Sequence, residues 1–159
     1  MKTILAPLDF SSVSDAVVAQ ARELASAINA RIVLLAVIQP PAITHEYAAI
    51  MDNIAEITAA GEKNAARQLT RHQTQLSGQR VMVETVQLTG SPIPVILEQA
   101  VRFHADYIVM GSHGHTALYD LLVGSTTHGV LMRARCPVVI VPSASQQKAV
   151  RTKPELHAA

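Results

Sequence analysis

Gly111, Gly114 and Gly124 stand in the spacing Gly-x2-Gly-x9-Gly-Ser, with His113 and His115 beside the second glycine and Ser125-Thr126-Thr127 directly after the third. Two glycines three apart let a backbone turn sharply and come close to a ligand. A glycine before a run of hydroxyl residues at the mouth of a helix offers free N–H groups and hydroxyls, a combination suited to phosphate oxygens. A simple turn followed by a capped helix would use the same residues, and that alternative stays open for the loop taken alone. Asp9, with Pro7 and Leu8 before it and Ser11-Ser12 after it, is the other residue of chemical interest. Its carboxylate could contact a ligand, or accept backbone N–H groups where the next helix begins.

Other chemistries fit less well. The Gly-x4-Gly-Lys-Ser/Thr string of a P-loop is absent, and with no loop Lys and no carboxylate placed to activate water, rapid hydrolysis is not expected. Ser112-His113 superficially suggests a serine hydrolase. The nucleophile elbow, however, needs a glycine two residues before the serine, and that position is Met110. Adjacent side chains also cannot form a nucleophile–base pair without a third orienting group. His113 and His115, even with His128 or Asp9 nearby, are too few for a closed tetrahedral metal site. A Gly-x-Gly-x-x-Gly turn after the first apolar run is missing, which disfavours NAD and FAD. His45, His72, His104 and His157 show no partners in sequence and are expected on the solvated surface. No catalytic residue and no protein-ligated metal are assigned.

The elements that must position these residues are legible as apolar runs. Thr3–Pro7, Ile32–Ile38, Tyr107–Met110 and Val138–Val141 are nearly continuous, as expected of strands covered on both faces. Val81–Val86, interrupted by Glu84 and Thr85, predicts an edge strand. A helix capped by Ser12 or Ser14 is predicted from Val17, Ala21, Leu24, Ala25 and Ile28, with Asn29 as its stop. Ile50, Ile54, Ile57, Ala65, Leu69 and Leu76 predict helix between Pro41 and Ser77, with Gly61 a candidate break. Pro94–Phe103 and Ser125–Arg133 predict two more, Arg133 falling in a last turn where the helix dipole favours a cation. The alternation βαβαβαβαβ implies a single doubly wound α/β domain, a parallel sheet with helices on both faces. In such sheets ligands sit beyond the carboxyl ends of the strands, where strand order reverses.

The chain has 159 residues, 49% hydrophobic and 16% charged. That is one domain's length, with enough apolar residues for a core. Aromatics are 3% and there is no Trp, so the core must be built from Val, Ile, Leu and Ala. The formal charge of +1 conceals a division. Met1–Pro142 carries ten Lys and Arg against eleven Asp and Glu, whereas Ser143–Ala159 carries Lys148, Arg151 and Lys153 against Glu155. A nearly neutral body short of aromatics argues against nucleic acid as a partner. Cys136 is the only cysteine, which excludes an intrachain disulfide framework, and its apolar setting before Pro137 suits inert packing. MKTILAPLDF reaches Asp9 too soon for a signal-peptide core, and no apolar stretch approaches the roughly 20 residues of a membrane span. The expectation is a cytoplasmic protein with no membrane contact, organised as residues 1–142 in one domain and a polar, disordered tail over 143–159.

The whole of Met1–Pro142 resembles the universal stress protein family in its ATP-binding branch. The resemblance lies in ILAPLDFS at the start, VLLAVI in the second strand, IVMGSHGHTALYDLLVGSTTHGV and the closing CPVVIVP. It implies a five-stranded sheet of order 3-2-1-4-5 and a bound ATP, with Mg²⁺ able to ride on the phosphates. By the same resemblance, Asp9 would hydrogen-bond near the adenosine, with Pro7 and Leu8 as the adjoining wall. Val37 would offer backbone contacts to the adenine, and Met110 would pack beside base or ribose. Gly111, Ser112, His113, Gly114, His115, Thr116 and Ala117 would wrap ribose and phosphates, and Gly124, Ser125, Thr126 and Thr127 would take the phosphates. His115 departs from the Lys or Arg of many relatives, and Ala36 from the His of some. The family also implies a homodimer through Val138–Val141. The expected function is a nucleotide-responsive regulator in a stress response, acting on an unidentified protein partner, rather than an enzyme. The alternative is an ATP-independent homodimeric interaction module of the same fold.

Overall fold

The computed structural model describes residues 1–40, 51–78, 81–112 and 123–143, the first four residues of the second stretch by backbone alone. Five strands alternate with four helices: β1 Lys2–Leu8, α1 Ser14–Ile28, β2 Ala30–Ile38, α2 Met51–Leu76, β3 Val83–Thr89, α3 Pro92–Arg102, β4 Tyr107–Gly111, α4 Ser125–Leu131 and β5 Val138–Val141. The sheet is parallel throughout, in the order β3-β2-β1-β4-β5. Strand order therefore reverses between β1 and β4.

The continuous apolar runs lie where both faces are covered. Alternate residues of β1, β2 and β4 feed two separate cores. Ile4, Ala6, Ile32, Leu34 and Val109 pack with Val17, Ala21 and Ala25 of α1 and with Ala65 and Leu69 of α2. Leu5, Val33, Leu35, Ile108 and Met110 pack with Ile96 of α3 and Val130 of α4. Each fully buried Leu or Ile contributes about 1.5–3 kcal/mol relative to exposure, so the three central strands anchor everything else. On the second face α4 lies close to α3 because Gly129 has no side chain: a Cβ there would collide with Ile93.

The structure moves several predicted boundaries. β3 begins at Val83 and runs on to Thr89, beyond the expected Val81–Val86, because backbone pairing with β2 continues from Ile32↔Val83 to Ile38↔Thr89 irrespective of polarity. It is an edge strand, as its interrupted pattern suggested. α1 starts at Ser14 with Val13 at its N-cap and no side-chain cap bond, so neither Ser12 nor Ser14 caps it; Asn29 does end it, in the left-handed conformation at φ 54°. α2 passes through Gly61 unbroken. α3 starts two residues early, at Pro92. α4 stops at Leu131 with Met132 as C-cap, leaving Arg133 outside the last turn. His72 is not on the surface but 2% exposed, in register with Ala65, Leu69 and Leu76 on the buried stripe of α2. His104 is exposed, while His45, His157 and the tail from residue 144 lie outside the described residues.

Candidate functional site

β1 and β4 diverge at the reversal point, and the space beyond their carboxyl ends is a cavity of about 350 Å³. This matches the size of small-ligand pockets. Its β1 wall is Pro7, Leu8 and Asp9. The chain then turns through Phe10, held in the left-handed region at φ 60°. The Asp9 carboxylate fixes that turn: Oδ1 accepts the Ser11 N–H at 3.0 Å and the Ser14 hydroxyl at 3.3 Å. This local ring ties the turn to the first residue of α1, whose own amide is taken by Ser11 O at 3.0 Å. Behind the turn, the Phe10 ring stacks on His72 of α2, centroids 6.5 Å apart and ring planes nearly parallel. His72 Nδ1 lies 3.8 Å from Asp15 Oδ1, too far for a hydrogen bond, and the same oxygen is 3.7 Å from Arg71. Both His72 Nδ1 and the Ser11 hydroxyl are buried without a hydrogen-bond partner among the described residues.

The opposite wall comes from β4 and the start of α4. Met110 is buried and Gly111 opens to the cavity. Three hydrogen bonds close the base of the intervening loop. Ser112 N–H donates to Val141 O at 2.8 Å and Gly124 N–H to Ser112 O at 2.6 Å, tying the loop to β5 and its two ends to each other. The buried Thr127 hydroxyl donates to Gly111 O at 2.8 Å. The Gly124 amide and the Thr127 hydroxyl proton are therefore engaged within the protein. The groups left facing outward are the hydroxyls of Ser125 and Thr126 and the first amides of α4, for which the described residues offer no acceptor.

Ten of the expected site residues line this one cavity: Pro7, Leu8, Asp9, Val37, Met110, Gly111, Gly124, Ser125, Thr126 and Thr127. Ser112 is buried behind the wall and does not line it. His113, Gly114, His115, Thr116 and Ala117 lie outside the described residues. Sequence reasoning missed Gln39 at the end of β2, Pro92 and Ile96 of α3, and Gly61 and Ala65 of α2. The last two are small residues one helical turn apart, a spacing that could have marked the side of α2 that faces a ligand space. Among the described lining residues there is no Lys or Arg, and Asp9 is the one ionisable residue. Among the described residues no three His, Cys, Asp or Glu side chains converge as a metal site, and no helix is long and apolar enough to cross a membrane.

Comparison with known proteins accords with this architecture. The model of the universal stress protein family matches residues 1–142. Universal stress protein A homolog 1 of Coxiella burnetii is 32% identical over 142 residues, covering 88% of this chain and 95% of that protein. Among solved structures, the universal stress protein UspA from Lactobacillus plantarum superimposes with a TM-score of 0.81 at 25% identity, over 88% of this chain and 97% of that one. A universal stress protein in complex with cAMP shares the fold at a TM-score of 0.65 and 23% identity, over 88% and 96%.

Proposed function

The chain belongs to the universal stress protein family, and from that premise we propose that it is an adenine-nucleotide-binding regulator, with ATP as ligand and little or no hydrolysis. The observation that carries this reading is the cavity at the β1/β4 reversal, where Asp9, Met110, Gly111 and the first turn of α4 converge. The complex of a fold neighbour with cAMP supports an adenine nucleotide as the ligand class. The apolar floor of Leu35, Ala36, Val37 and Met110 suits a purine ring. Asp9 lies at the rim where a ribose hydroxyl can donate to it. The outward-facing amides and hydroxyls of Ser125 and Thr126 suit phosphate oxygens. Asp9 is the one ionisable group in the described lining, with no cation beside it there to assist phosphoryl transfer, in keeping with binding with slow turnover.

Regulation follows if nucleotide binding changes a surface beside the pocket that a protein partner reads. Such control requires different ligand affinity for the two states of that surface. The test is mass spectrometry of nucleotide released from freshly purified protein, with ATP and adenosine titration calorimetry on the stripped chain. Near one nucleotide per chain is expected, and Gly114→Val should abolish binding with the fold intact. Folded protein that binds neither ligand would overturn the reading.

β5 favours a second reading, a homodimeric interaction module that does not use nucleotide. It ends the sheet at one edge, and its Val138, Val139 and Ile140 are only half-buried. An apolar edge strand is a ready template for pairing with another chain. Light scattering at micromolar concentration should give the mass of a dimer; a monomer would remove this reading.

A further inference from the structure

We propose that His72, which does not line the cavity, is a positioning residue for it: its ring braces Phe10 in the left-handed conformation and so aims the Asp9 carboxylate at a ribose hydroxyl. The proposal rests on the nucleotide reading above and adds to it the residue that sets the Asp9 wall.

Phe10 and His72 each depart from what stability alone would select, and they touch one another. Phe10 has φ 60°. The other described non-glycine residues with positive φ are Asn29, which caps α1, and His104, which follows the Phe103 C-cap of α3. Left-handed residues are ordinary at such helix ends. Phe10 instead precedes a helix, and a bulky side chain there is strained where glycine would not be. His72 shares the buried stripe of Ala65, Leu69 and Leu76, yet its Nδ1 has no hydrogen-bond partner among the described residues. A leucine at that position would avoid the cost of burying an unpartnered nitrogen. Strain of this kind persists only where the surroundings over-determine it, and it clusters at ligand sites.

Two braces hold this one backbone pivot. In the first, Asp9 Oδ1 accepts the Ser11 N–H at 3.0 Å and the Ser14 hydroxyl at 3.3 Å. In the second, the Phe10 ring lies on His72, centroids 6.5 Å apart and planes 7° from parallel, within the range of offset stacking. Asp15 does not fix the imidazole. Its Oδ1 is 3.8 Å from Nδ1, its side chain is 71% exposed, and Arg71 lies 3.7 Å from the same oxygen. Phe10 and Asp9 both line the cavity, and so does Ala65 of α2, seven residues and about two helical turns before His72. α2 thus carries the brace on the same stripe with which it walls the pocket. Without a ring at position 72, Phe10 is free to relax toward ordinary backbone, and the Asp9 carboxylate turns with it. Leu35, Val37 and Met110, the apolar floor under the base, belong to β2 and β4 and keep their places.

The experiment is calorimetry on the full chain with adenosine and with its dideoxy analogue, which keeps the base and lacks both secondary ribose hydroxyls. In His72→Leu, adenosine should bind about fivefold more weakly, and the analogue as it binds the native chain. The urea midpoint of that variant should be equal or higher, because the unpartnered nitrogen is gone. His72→Phe, which restores a ring to the stack, should bind adenosine within about twofold of the native chain. Phe10→Leu removes the stack from its other side and should reproduce the selective loss of about fivefold, with His72→Leu costing nothing more when added to it. Phe10→Leu alone decides the matter should His72→Leu not fold. Unchanged adenosine affinity in a folded leucine variant would overturn the proposal. So would an equal loss for both nucleosides, or a His72→Phe variant no better than His72→Leu, since either would leave His72 a packing role only. A native chain that binds the analogue as tightly as adenosine would overturn it too, by removing the Asp9 contact. Failure of adenosine to bind the native chain would remove the nucleotide reading itself, and this proposal with it.

Discussion

At the foot of the sheet, where the strands begin, Lys2, Arg31 and Arg102 are engaged with groups of the protein itself. At the mouth, where β1 and β4 end, the described lining has no cation and its polar groups face a cavity. Arg31 donates to the Thr3 hydroxyl at 3.0 Å, lies 3.6 Å from Glu84 and sits 5.8 Å from the Phe103 ring centre. Arg102 approaches the same ring at 5.5 Å, and Lys2 lies 5.9 Å from that of Tyr107. Asp106 Oδ2 accepts the Thr3 N–H at 2.8 Å, joining the starts of β1 and β4. The contrast teaches that polar groups at the foot hold strands in register, whereas at the mouth some, as Asp9 and Thr127, hold turns and others, as Ser125 and Thr126, line a cavity. Substitutions at the foot should therefore read out in stability, and those at the mouth in affinity.

Thr127 tests that division most severely, because it is a mouth residue with a structural bond. Thr127→Val removes the hydroxyl that reaches Gly111 O while preserving shape. The expected cost is about 1–2 kcal/mol in urea unfolding, together with about a tenfold loss in adenosine-nucleotide affinity as the loop base loosens. A stability loss with unchanged affinity would place the clamp outside the ligand site. Asp106→Ala should cost less, about 1 kcal/mol, since this bond is only part-buried, and should leave affinity unchanged. It carries a second readout. Burial, and after it the charge of Asp106, push the Cys136 thiol above its ordinary range. In the native chain, iodoacetamide should therefore modify Cys136 more slowly than a free thiol at pH 8, and faster as pH rises through the elevated value. In Asp106→Ala the thiol should titrate lower and react sooner at the same pH. An unchanged alkylation rate would mean the two groups do not interact.

How much of this was legible in the sequence follows from what each residue's type reports. β1, β2 and β4 were readable because strands buried on both faces must be continuously apolar. β3 was misplaced because an edge strand is held by backbone pairing, which leaves Glu84, Thr85 and Gln87 free to be polar. The expected Ser12 or Ser14 cap of α1 does not form, because the Ser14 hydroxyl is turned back to Asp9 across the turn at the left-handed Phe10, a contact no local pattern reports. His72 was assigned to the surface from its polarity, although Ala65, Leu69, His72 and Leu76 keep helical spacing and place it on the buried stripe. The walls of the site given by β1, β4 and the start of α4 were legible as strand ends and a glycine spacing. Its far wall was not, because Gly61 and Ala65 contribute only by being small.

The smallest expected effect is also the one that bears most directly on the foot. Arg31 and Glu84 are 33% and 50% exposed, and their 3.6 Å separation is that of a solvent-screened pair. Such pairs are worth about 0–1 kcal/mol. Glu84→Gln removes only this interaction, and should change stability by a few tenths of a kcal/mol at low salt and by nothing measurable at high salt. Arg31→Gln also removes the bond to Thr3 and the contact with Phe103, so it should cost more, and the excess should persist in salt. The difference between the two variants measures how far Arg31 acts as a buried stem and hydrogen-bond donor rather than as a charge. If both cost the same and both vanish in salt, the foot is held by screened charge alone. Its contrast with the mouth would then be one of sign only, with no difference in structural commitment.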